Sequence, residues 1–201
     1  LYQELVYRSG VRNFNYLALY SEDGKMEMLD GNPIQLADPD SFRKSLLRRE
    51  KKIAVGYDSL GTEVVILGIS AEYPMENGEA CMALVAAVPI DYISAMLGTD
   101  EENALISSNI IRKDGSFIIS DTGMDYKDYF ESLYQRYPAS DRRKIDAYVR
   151  ELSDAMEKKE SYSTVLDLGN TSQQIYCTLL PYSEWHLVTV LPFGPLNETV
   201  E

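Results

Sequence analysis

Apolar and polar positions alternate along this chain in two similar runs, and the period switches between two and about 3.6 at matching places. Residues 14–20 read as a strand, Glu22-Asp23-Gly24 as a tight turn, and 25–29 as the returning strand. Asp38 and Pro39 then have the chemistry of an N-cap and a first helical residue. Phe42, Leu46 and Leu47 form the apolar stripe of a helix reaching about Glu50. Three strands follow at 52–57, 62–72 and 79–88, separated by turn signals at Leu60-Gly61 and Asn77-Gly78.

After a short helix at 91–97 the order repeats. Residues 104–112 and 116–120 read as strands around an Asp114-Gly115 turn. Two helical patterns come next, one through Tyr126, Phe130, Leu133 and Tyr137, the other through Ile145, Tyr148, Val149, Leu152 and Met156. Strands at 162–168, 172–180 and 185–191 close the series, with Gly169-Asn170 as a turn. Each series thus runs hairpin, helical segment, three strands, proline, and the second carries the longer helical segment. Five antiparallel strands with helices inserted after the second have PAS-like connectivity. The fold expected is therefore α+β: two tandem PAS-like modules, each a five-stranded antiparallel sheet flanked by helices.

Charge narrows the partners. With 19 basic and 32 acidic residues the net charge is −13, a surface that repels phosphate backbones, so nucleic acid is not an expected partner. The basic cluster from Arg43 to Lys52 fits a solvated helix face. Cys81 and Cys177 sit alone in apolar strand patterns and read as buried thiols. The longest apolar stretch, Ala83 to Ile90, is far below the roughly 20 residues that span a bilayer.

Catalytic machinery is hard to assemble from these residues. The single histidine, His186, stands at a strand start with no serine or cysteine motif around it, and no phosphate-loop, dinucleotide or nucleophile-elbow motif occurs. The chain reads as a non-enzymatic binding module with no cofactor and no metal site. Its candidate pocket lies in the first series, between sheet and helix. Gly68, Ser70, Ala83 and Ala87 would form a small-residue floor, with Arg48 or Arg49 to clamp a carboxylate, Tyr57 and Tyr73 to stack or donate, and Asp58 to receive an ammonium group. The competing reading is that small strand residues simply let a helix pack closely. In the second series Tyr162, Tyr176 and His186 could play similar parts, although a module without ligand is the default there.

The repeat, together with Tyr73-Pro-Met…Asn77-Gly, Leu84-Val-Ala-Ala-Val-Pro-Ile-Asp-Tyr-Ile93, Ser108-Asn-Ile-Ile-Arg-Lys-Asp-Gly-Ser-Phe-Ile118 and Trp185-His-Leu-Val-Thr-Val-Leu-Pro192, resembles double Cache sensor domains over nearly the whole chain. These are the extracellular parts of bacterial sensor histidine kinases, GGDEF-type diguanylate cyclases and chemoreceptors. The resemblance implies an N-terminal stalk helix over 1–13, a membrane-distal module over 14–90, a membrane-proximal module over 91–192, and a linker over 193–201 toward a transmembrane helix. It also implies a membrane-anchored homodimer and a small ligand, an amino acid, organic acid or amine, held in the distal module. The chain departs from the family's amino-acid-binding pattern. The distal module has no Arg-x-Trp-Tyr string, and the aspartate of the last distal strand falls at Pro89, with Asp91 two residues on. The rival readings are a cytosolic PAS or GAF-type signalling module, a ligand-free extracellular interaction domain, and a hydrolase using His186.

Overall fold

The computed structural model describes residues 16–96, 106–120, 126 and 128–192. The expected stalk helix and C-terminal linker lie outside these residues. The chain divides into two compact units between Ile93 and Ser94.

In the first unit β1 (Tyr16–Tyr20), β2 (Met26–Asp30), β3 (Ile34–Leu36), β4 (Lys52–Asp58), β5 (Glu63–Ser70) and β6 (Ala83–Pro89) form one antiparallel sheet in the order β2-β1-β6-β5-β4-β3. The helix α1 (Pro39–Leu47) packs on one face, and α2 (Ile90–Met96) follows β6. Asp38 caps α1 as its sequence suggests, its carboxylate accepting from Ser41 N at 3.0 Å. The buried side of α1 is Phe42, Ser45 and Leu46, whereas Leu47 is 45% exposed.

Alternation along the strands sorts two clusters onto opposite faces. Ala18, Tyr20, Val64, Ile66, Ala83, Val85 and Ala87 meet α1. Leu17, Leu19 and Leu29 are covered instead by Met75 and Cys81 from the 71–82 connection. That connection is where the sequence pattern over-read the strands. Its apolar side chains pack like strand residues, but its backbone closes through a Pro74–Ala80 bridge and a left-handed Gly78. The sixth strand, β3, has only three residues, too few to show a period of two. It pairs with β4 because Gly56 lacks a side chain: a Cβ there would stand 2.3 Å from the Gln35 carbonyl oxygen.

The second unit holds β7 (Ser107–Ile111), β8 (Phe117–Ile119), β9 (Tyr162–Leu168), β10 (Thr171–Leu179) and β11 (His186–Pro192) in the order β8-β7-β11-β10-β9. This is the first sheet's order without β3, so the repeat seen in sequence is a repeat of topology. Helix α3 (Tyr129–Arg136), a 3-10 turn at Ala139–Asp141 and helix α4 (Arg142–Lys158) cover one face. Tyr126 lies before α3, which begins after its cap Asp128, whose carboxylate accepts from Glu131 N at 2.7 Å. Along α4, Ile145, Tyr148, Leu152 and Met156 fall at helical spacing and bury themselves against Leu166, Leu168, Ile175, Cys177 and Val188. Lys159 ends the helix in the left-handed conformation, with Glu160 N donating to Ala155 O. The opposite face of this sheet shows Val165 and Tyr176 exposed.

Candidate functional site

The first-unit candidates are spread over two ends and two faces of their sheet. Gly68 does form part of a small-residue floor, but the floor is filled. A Cβ on Gly68 would stand 2.5 Å from Phe42 Cζ, and Phe42, Leu46 and Tyr20 are almost fully buried over it. Tyr20 and Phe42 meet edge to face at 5.6 Å. Ser70 and Ala83 are partners across β5 and β6, Ser70 exposed and Ala83 fully buried. Arg49, left-handed and exposed after α1, pairs at 3.7 Å with Glu72.

Tyr57 and Asp58 end β4, about 20 Å along the strand from the Lys52 end that adjoins Arg49. Asp58 is fully engaged. Its Oδ1 accepts from Leu60 N and Thr62 N, and its Oδ2 from the Tyr16 hydroxyl at 3.0 Å. These hydrogen bonds to the charged form, led by that of Thr62, hold the carboxyl below its ordinary range. Tyr57 is 39% exposed on the face away from α1. Tyr73 lies on that face too, against the Leu17–Met75 cluster, and its N–H donates to Cys81 Sγ.

The second unit does contain a concavity, a cleft of about 240 Å³ between α3 and one end of the sheet. Its construction follows from the alternation. On β7 the inward positions are Ser107, Asn109 and Ile111; on β10 they are Thr171, Gln173 and Ile175; on β11 they are Val188, Val190 and Pro192. Toward one end these side chains are apolar and packed under α4; toward the other they are mostly polar. Over the polar end α3 lays Tyr129, Ser132, Leu133 and Arg136, one face at spacings of three, four and seven.

Asn109 and Ser132 are each 1% exposed. Asn109 Nδ2 donates to Ser107 Oγ at 3.3 Å, and the Ser132 hydroxyl donates to Tyr129 O at 2.6 Å. The Tyr137 hydroxyl reaches from the end of α3 to Gln173 Oε1 at 3.2 Å, tying helix to sheet. Arg136 is exposed at the mouth, its guanidinium 5.9 Å from the Tyr137 ring centre. Behind the cleft, the hydroxyls of Tyr129 and Tyr148 bond at 2.9 Å, and burial raises both above the ordinary tyrosine range.

None of the second-unit candidates from sequence lines this cleft. Tyr162 packs on Tyr148 and donates to Glu151, Tyr176 points outward, and His186 is sealed in the core. In the sequence Tyr137 and Leu133 read as an apolar stripe, and Asn109 does not stand out. The available signal was a polar residue on the inward phase of a strand whose next inward position is Ile111. Among the described residues no group of histidine, cysteine and carboxylate side chains could hold a metal ion, and no helix is long and apolar enough to cross a membrane.

No family model matches the chain, and no curated protein matches its sequence. Its fold does have counterparts. The ligand-binding domain of the Pseudomonas fluorescens chemoreceptor CtaA, solved with L-leucine, superposes with a TM-score of 0.50 at 9% identity, over 90% of this chain and 72% of that one. That of the Pseudomonas aeruginosa amino-acid chemoreceptor PctC, solved with GABA, gives 0.49 at 14%, over 90% and 75%. The extracellular domain of the putative histidine kinase mmHK1S-Z2 gives 0.47 at 10%, and the chain covers 87% of itself but only 62% of that domain. At such identities the likeness carries the fold alone, and the fold is that of two tandem PAS-like modules.

Proposed function

We propose that this chain is the extracytoplasmic small-molecule-sensing part of a transmembrane signalling receptor, and that its ligand contacts lie in the second-unit cleft. The observation that carries the reading is a concavity with a fully buried amide and hydroxyl and an open, charged mouth, on a fold whose solved counterparts include chemoreceptor domains holding amino acids. A packed core has no use for such a cleft. A binding site needs an apolar wall and a few placed polar groups, and this one has both.

The first-unit set of Arg49, Tyr57, Asp58, Ser70, Tyr73 and Ala83 then serves the sheet, its turns and its packing. Signalling follows as a population shift: a ligand favouring one arrangement of α3 over the sheet displaces an equilibrium transmitted through helices flanking the chain. Anchoring by those helices and pairing into a homodimer belong to the same proposal.

Thermal denaturation of the chain against amino acids, organic acids and amines tests the reading. A ligand at about 100 times its Kd adds about 2.7 kcal/mol of stability, a rise of several degrees for a chain of this size. Silence across all three classes would remove the sensing role.

A further inference from the structure

Resting on that sensing reading, we infer that the second-unit cleft selects a small carboxylate lacking an ammonium group, a short-chain oxo or hydroxy acid, with its carboxylate at Arg136. In a chain of net charge −13, the only charged side chain lining this cleft among the described residues is a cation. Among the described residues Arg136 has no ion pair or hydrogen bond, so its guanidinium donors are available in the planar fork that suits a carboxylate.

The remaining polar lining is neutral. The Ser107 hydroxyl accepts from Asn109 and keeps its own hydrogen for a guest, while the Gln173 amide nitrogen has no protein acceptor among the described residues. Leu133 and Val190 give a short carbon body an apolar wall. At about 240 Å³ the cleft falls below the roughly 300–1,000 Å³ of sites for drug-sized molecules and suits a metabolite of a few carbons.

An α-amino acid would bring a second charge into this space. Desolvating an ammonium group without a carboxylate to receive it is costly. Among the described residues no carboxylate lines the cleft. Asp167 on the adjoining strand is bonded to the Ser172 hydroxyl, and Asp141 accepts from Gly169 N at 2.6 Å and pairs with Lys144 at 3.6 Å. Selectivity should therefore run opposite to that of a site built for amino acids.

The test is a matched set on the intact chain at pH 7: pyruvate and L-lactate against L-alanine, and 2-oxoisovalerate against L-valine, read by melting temperature and calorimetry. The expected result is a concentration-dependent rise with at least one acid, with its amino counterpart binding about tenfold more weakly or worse. Arg136→Gln should abolish the rise while leaving the unliganded melting temperature nearly in place, because the side chain is exposed and has no ion pair or hydrogen bond among the described residues. Arg136→Lys should restore part of it. An amino acid binding as tightly as its matched acid, an undiminished response in Arg136→Gln, or no response to any of the acids would each overturn the inference. Should the acids be silent while another amino acid or amine stabilises the chain, sensing survives and this selectivity falls. Silence from every class takes both.

Discussion

Both ring nitrogens of His186 are cut off from solvent, with no hydrogen-bond partner among the described residues, on the inward face of β11. Desolvation, with a smaller contribution from the Lys113 charge, lowers its pKa below the ordinary 6.5. In the unfolded chain the ring takes up a proton near its ordinary pKa, while the folded chain resists it. Stability is therefore full above about pH 6.5 and is lost as pH falls toward the lower folded value, by at most ~1.4 kcal/mol per pH unit. As the chain has one histidine, urea denaturation between pH 7.5 and 5.5 reads this group almost alone. His186→Leu should flatten that slope, at little cost in stability at pH 7.5, since no hydrogen bond is lost. Gly68 makes a second residue-scale prediction. Gly68→Ala drives a methyl into the buried Phe42 ring and should cost about 1–3 kcal/mol by chemical denaturation. The two thiols were legible from sequence as buried apolar groups, and both are buried and free. Burial pushes Cys177 up to about 11, so native protein should resist thiol reagents that modify both cysteines after unfolding.

At the scale of elements, those that were legible are those whose packing face and caps are local. Helix α4 carries its stripe within its own sequence, and α1 its Asp38-Pro39 start. Leu152, fully buried in that stripe, should cost about 2–5 kcal/mol on replacement by alanine. Lys159 closes α4 at φ 58°, a conformation glycine adopts freely, so Lys159→Gly should stabilise by about 0.5–1 kcal/mol, measured by the denaturation midpoint. Elements were misread where the deciding contact is remote. Strand β3 exists because Gly56, some twenty residues on, lets it approach, and residues 71–82 are a connection because Leu17, Leu19 and Leu29 needed a cover. The start of α3 is an exception: its cap is local, Asp128 accepting from Glu131 N, but Tyr126 shares the helix's apolar spacing and hides the boundary.

Across the whole molecule, the order of elements along the chain was enough to imply two equivalent sheets, because a repeated succession of periods has few ways to pair its strands. The candidate site was another matter. The small residues of the first unit were visible in sequence, but whether a small-residue floor holds a ligand or a phenylalanine depends on which side chain arrives from the helix above. Here Phe42 arrives. In the second unit the cleft is assembled from Ser107, Asn109, Gln173 and Arg136, which lie on two strands and a helix far apart in the chain. Sequence by itself determined the periods, the caps, the net charge and the twofold order, since each is set by neighbours within a few residues. Only the tertiary structure decided that the second unit keeps a cleft among its described residues, because a cavity is a shortage of side-chain volume summed over elements that meet only once folded.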